Sequence, residues 1–388
     1  MKHIFKSLIF TFLSVSTFAD QKTGVVVIGN NAPALAAGIQ SARSGVKTIW
    51  LNPEATLSSD ILNADTTAYT LAGFWPEIVK KIKANPAMDR AALLKAYTDT
   101  VKNLTVIRNA PVRKIERSGK GWEIDLTNGT ELKCQVIVDG GDHTRLVEKA
   151  PAEIGQRLSS GSVGNDTYST KLYRTAIATG NSETDLVPLG SLISQTENYV
   201  FAPVQNTVGA SMLAGQAAGA SAAYCAFFQT TTKNINVRMT QGELLRYNGR
   251  LFPAADVPVT DPAFISVQHV AATGILKLRN GSFNPEGTVS SEELRLPLKE
   301  YYSRSQLWFF QNKRDSLTIE DAVNLIMFTA TRGEELRREI RAGWKTSLKL
   351  SAEYDPKRAI TRKEFAVLVD RFLQPFNVRV DFAGNLLS

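Results

Sequence analysis

Gly24-Val25-Val26-Val27-Ile28, running into Gly29-Asn30-Asn31-Ala32-Pro33-Ala34, is the stretch on which the fold turns. A continuous run of β-branched residues predicts a strand buried on both faces. Small and apolar residues then recur at helical spacing over positions 35–44. Gly45 closes that helix, and Val46-Lys47-Thr48-Ile49-Trp50-Leu51 predicts a second strand. Strand, tight turn, helix, glycine and strand in this order make a βαβ unit, so the front of the chain reads as an α/β, Rossmann-type fold.

Such a unit aims the free N–H groups of its first helix at the carboxyl edge of the sheet, where a pyrophosphate can bind. Gly29 fills the first position of the usual three-glycine turn and Ala34 the third, but Asn31 stands at the second, where a Cβ crowds the phosphate. The second strand runs into Asn52, where a ribose-binding acid is usual; an amide hydrogen-bonds a hydroxyl without the added strength of charge.

Outward from this unit, residues 87–102 predict an amphipathic helix leading to a strand at 104–107. Segments 112–115, 122–126 and 132–138 predict a β-meander with a hairpin turn at Asn128-Gly129. The last of these strands ends in Asp139-Gly140-Gly141-Asp142. Further on, Asn198-Tyr199-Val200-Phe201-Ala202 precedes a helix over 208–226 containing Met212-Leu213-Ala214-Gly215-Gln216-Ala217-Ala218-Gly219. Its small-residue surface predicts burial against the sheet.

These motifs, in this order over residues 22–250, resemble FAD-dependent oxidoreductases of the two-dinucleotide-binding-fold type. The resemblance implies FAD as cofactor, Gly29, Asn31, Ala34 and Asn52 lining its ADP side, and Asp142, Gly215 and Gln216 nearer the flavin. It also implies a small-molecule substrate, with redox chemistry supplied by the flavin. The chain departs from the pattern at Asn31, at Asn52 and at Pro203, and in a shortened substrate region at 143–197. No catalytic acid or base is assigned. His143, beside the Asp142 turn, reads as a solvent-facing loop histidine, with a site role as the alternative.

Beyond Asp261-Pro262 the pattern turns helical and more charged, which divides the chain into 20–260 and 261–388. Phe283-Asn284-Pro285 followed by Ser290 and Glu293 repeats as Tyr354-Asp355-Pro356 followed by Thr361 and Glu364, with a weaker copy at Leu317-Thr318. Ser290 and Thr361 are expected N-caps, each completing a capping box with the glutamate three residues on. This part resembles an S-layer homology domain, which implies binding of a cell-envelope glycan, with Arg362 as candidate contact. The alternative is a small all-α bundle that packs on the front half or on another protein.

Residues 1–19 read as a signal peptide, with Lys2 and Lys6 beside an apolar run and Thr17-Phe18-Ala19 at the expected cleavage positions. The expected location is therefore the periplasm or cell envelope, with no membrane span in the mature chain. Net charge is +8, but cations and acids are mixed along the sequence, which reads as a solvated surface and not a nucleic-acid site. Two cysteines and three histidines leave too few ligands for a histidine-rich zinc centre and no disulfide scaffold. Two functions stay open: an exported flavin-dependent oxidoreductase, or a non-catalytic envelope binding or scaffold protein on a degenerate flavoprotein fold.

Overall fold

A computed structural model of the protein describes residues 21–57, 59–62, 72–141, 143–164 and 166–387. Strand β1 (Gln21–Ile28) leads through the Gly29 turn into helix α1 (Ala32–Arg43) and β2 (Thr48–Leu51). Val25, Val26 and Val27 are fully buried, as expected of a strand covered on both faces. Helices α2 (Ser59–Leu62), α3 (Phe74–Ala84) and α4 (Arg90–Asp99) precede β3 (Leu104–Ile107). The meander follows as β4 (Val112–Ser118), β5 (Gly121–Leu126) and β6 (Glu131–Asp139).

The sheet order is β3-β2-β1-β6-β5-β4, with β1 parallel to β2 and β6, and β5 antiparallel to both β4 and β6. A small antiparallel pair, β7 (Ala176–Ala178) with β8 (Leu186–Pro188), lies in the shortened region. Strand β9 (Tyr199–Phe201) then returns to pair in parallel with the carboxyl half of β6, Asp139 opposite Phe201. The fold class is α/β, built on a mixed sheet.

Helix α5 (Val208–Phe228) lies across α1 and is buried along most of its length, and α6 (Val237–Arg246) packs beside it. From α7 (Phe264–Thr273) onward the named elements are helical: α8 (Ser291–Tyr301), α9 (Ser305–Gln311), α10 (Ile319–Ala330), α11 (Glu334–Gly343) and α12 (Arg362–Phe372). The turns before α8, α10 and α12 join in a closed ring of backbone pairs: Ser290 with Ser316, Thr318 with Ala359, and Thr361 with Thr288. Val289, Leu317 and Ile360 sit fully buried at its centre. The repeat seen in the sequence is thus a three-fold arrangement in space.

The packing does not break at residue 260. The hydrophobic core under these helices takes in Val163, Tyr173, Ala176, Leu186, Leu251 and Phe252 from the front half. In return the C-terminal tail reaches back. Val380 is buried in the core beside the sheet, Phe382 packs against it, and Arg174 donates to the Gly384 carbonyl.

Candidate functional site

The crevice at the carboxyl edge of β1 is built from three small residues in tight contact. Gly29, at φ +144°, could not carry a side chain without meeting Ala34 at 3.1 Å and Gly140 at 3.3 Å. A Cβ on Gly140 would come within 2.7 Å of Ala34. The small residue at Ala34 therefore does what the pattern predicts: it lets helix and strand approach.

Asn31 does something different. Its Oδ1 accepts from the Ala34 amide at 3.0 Å, capping α1, and its Nδ2 donates to the Gly140 carbonyl. Pro33 has no N–H, and the Leu35 amide donates to the Asn31 carbonyl. Three of the first four helical positions thus offer no amide to an anion. At the second position of the turn, where the pattern has an open glycine, Asn31 is thus engaged in the protein's own hydrogen bonds.

Asn52 is fully buried and shapes its own loop, accepting from the Glu54 amide at 2.9 Å and donating to the Thr56 carbonyl. It does not present its amide to the crevice. The nearby carboxylate is Glu54, whose Oε2 accepts from Asn30 Nδ2 at 2.8 Å and so ties the two loops together. This acid stands three residues beyond the end of β2 and two beyond Asn52.

Asp142 lies outside the described residues. The polar centre at the end of β6 is Asp139, whose side chain is wholly buried. Its Oδ1 accepts from the Gly141 amide and lies 2.6 Å from His143 Nδ1, while Oδ2 accepts from the His143 amide and from Tyr199 Oη at 2.7 Å. His143 is not the solvent-facing residue expected: its side chain is only 17% exposed and is held on this carboxylate. Nearby, the Arg157 guanidinium sits 3.1 Å from the centre of the Phe201 ring. Burial lowers its pKa to about 10, against the opposing pull of Asp139 and Tyr199. Sequence reasoning missed Asp139, Tyr199 and Arg157. The available signal was an acid at a strand end, but its partners lie 18 to 60 residues onward.

Gly215 and Gln216 belong to helix packing. A Cβ on Gly215 would lie 2.2 Å from the Pro33 carbonyl, and one on Gly219 2.5 Å from that of Ala37, so the glycines let α5 and α1 touch backbone to backbone. Gln216 is fully buried, accepting from the Phe74 amide at 3.0 Å and donating to Gln40 Oε1 at 3.2 Å. It joins α1, α3 and α5.

In the C-terminal part, Thr318 with Asp321 and Thr361 with Glu364 form complete capping boxes. Ser290 accepts from the Glu293 amide, but the Glu293 carboxylate takes both of its oxygens to Arg362 Nη1 instead of back to the cap. Arg362 also donates to the carbonyls of Phe283 and Lys277 and is 5% exposed. The candidate glycan contact is therefore a buried internal clamp. It backs a cavity of about 410 Å³ that Arg279, Asn284 and Ser290 also line, and the Arg279 side chain is 81% exposed there.

No family model and no curated protein matches the chain. Among solved structures, it is similar to a flavin-containing monooxygenase from Stenotrophomonas maltophilia, 19% identical with TM-score 0.23, over 31% of this chain and 38% of that one. It is also similar to T. acidophilum thioredoxin reductase, 16% identical with TM-score 0.23, over 31% of this chain and 36% of that one. A third is the bacillithiol disulfide reductase of Bacillus cereus, 22% identical with TM-score 0.23, over 31% of this chain and 40% of that one. These structural neighbours are flavin-dependent oxidoreductases, and the chain spans less than half the length of each.

Proposed function

We propose that the protein is an exported, non-catalytic binding protein of the cell envelope, built on a flavoprotein-like frame whose phosphate slot its own residues close. The observation that carries this reading is Asn31, which caps α1 and binds Gly140 where a pyrophosphate would otherwise meet the helix. Binding falls to the three-fold helical part, with an envelope glycan or protein as partner and the Arg279 face of the Arg362-backed cavity as the contact.

A second reading, flavin-mediated redox of a small molecule, is favoured by the order of the elements and by the Asp139, His143, Tyr199 and Arg157 cluster at the carboxyl edge of the sheet. FAD could enter only if Asn31 released Ala34 and Gly140.

One preparation separates the two. Purified protein is expected to be colourless and to gain no thermal stability from FAD. A ligand bound to the native state at a hundredfold excess over Kd would add about 2.7 kcal/mol. Yellow protein that releases flavin on denaturation overturns the first reading. Retention on peptidoglycan, lost in Arg279→Ala, supports the assigned contact; equal retention removes it.

A further inference from the structure

The last turn of α5 and the outer face of α6 leave a groove of about 310 Å³ lined by Tyr224, Phe227, Phe228, Met239 and Arg246. Phe227 is 63% exposed and Phe228 and Met239 each 49%, and the two phenylalanine rings meet edge to face. An exposed aromatic pair has no part in the crevice or in the helical ring, and apolar surface left in this way marks an interaction site.

Its position says what kind. A Cβ on Gly24 would lie 3.1 Å from Ala226, so the start of β1 abuts the last turn of α5. In the sequence the stretch just before β1 is apolar from position 7 to 18 apart from hydroxyl side chains, and β1 itself starts at Gln21 on this same edge. Around it stand the exposed cations Lys22, Lys47, Lys233 and Arg246. Acids on this edge include Glu131, at the start of β6, Asp125 opposite it and paired with Arg113, and Glu243, which lies 3.9 Å from Arg246.

We propose that this edge docks on the surface of an anionic bilayer, with Phe227 and Phe228 entering the interface and the cations meeting lipid phosphates. Aromatic rings favour the headgroup boundary, and each basic residue near an anionic surface adds attraction. The proposal goes beyond the glycan-binding reading and does not depend on it, since the two surfaces are separate.

The described residues begin at Gln21, so the chain from residue 20 onward contains every one of them and lacks the apolar stretch at 7–18. That chain is expected to co-sediment with phosphatidylglycerol–phosphatidylethanolamine vesicles and to bind phosphatidylcholine vesicles far less. The double variant Phe227→Ser, Phe228→Ser is expected to lose about tenfold or more in partitioning while keeping its circular dichroism and Tm. Absence of sedimentation with anionic vesicles, or equal sedimentation of the double variant, overturns the proposal. So does a dimer in light scattering that the double variant abolishes, because the patch would then belong to a second copy of this chain. Peptidoglycan retention, measured separately, is expected to be unchanged by the double variant.

Discussion

Asn31 and Gly140 bridge the gap between β1 and β6, the Asn31 amide donating to the Gly140 carbonyl while its oxygen caps the first turn of α1. A position that a dinucleotide fold keeps open for phosphate is here part of the protein's own hydrogen bonding. Replacing Asn31 by alanine removes both bonds and is expected to cost about 1–2 kcal/mol in urea denaturation. Asn31→Gly is expected to cost less and to expose the helix end, so FAD should raise its Tm where it leaves the wild type unmoved. A variant as indifferent to FAD as the parent would show that Asn31 is not what closes the slot.

Gly215 tests the contact between α1 and α5. Alanine gains about 1 kcal/mol in helix propensity over glycine. Its methyl group, however, would lie 2.2 Å from a backbone oxygen that cannot swing aside, and such overpacking typically costs about 1–3 kcal/mol. The clash is expected to win, lowering the urea midpoint of Gly215→Ala. A raised midpoint would mean that the two helices slide apart freely.

Arg362 holds Glu293, Phe283 and Lys277 together from a buried position. Arg362→Ala leaves the Glu293 carboxylate without its main partner, for which about 3–5 kcal/mol is the usual penalty. Lysine is expected to recover only part, because it cannot reach both oxygens and two carbonyls with a planar fork. Thermal unfolding of the two variants measures this, and a wild-type Tm in Arg362→Ala would contradict the clamp.

Cys134 and Cys225 are buried free thiols. Burial pushes the Cys225 thiol up to about 12 and raises that of Cys134 as well. Only the thiolate reacts, and at pH 8 a thiol with that pKa is ionised to roughly one part in ten thousand. The sign follows: reactivity should grow as pH rises toward 12 and be negligible at pH 8. A thiol-specific chromogenic reagent is expected to count none in the native protein and two after unfolding.

Much of the front half is legible because strand runs of β-branched residues and the glycines at 29 and 45 punctuate it plainly. Helix α1 begins at Ala32 and not at position 35 because Asn31 caps it, a role hidden when the turn is read only as a phosphate loop. Strands β7 and β8, three residues each, are too short for an alternating pattern to declare itself. The Asp139 cluster was illegible because a strand-end acid does not say which distant tyrosine or arginine will fold onto it. Glu293 misled for a related reason. Local spacing assigned its carboxylate to the Ser290 cap, whereas Arg362, remote in sequence, binds it in the folded protein.

The tail that returns to the sheet has a bearing on how the molecule is made. Val380 and Phe382, synthesised long after the strands of the front half, fill space beside them. A nascent chain cannot close that gap until residues 380–382 have left the exit tunnel, so the front half must wait, partly uncovered, until then. Removing residues 377–388 would therefore harm packing made by strands more than two hundred residues earlier.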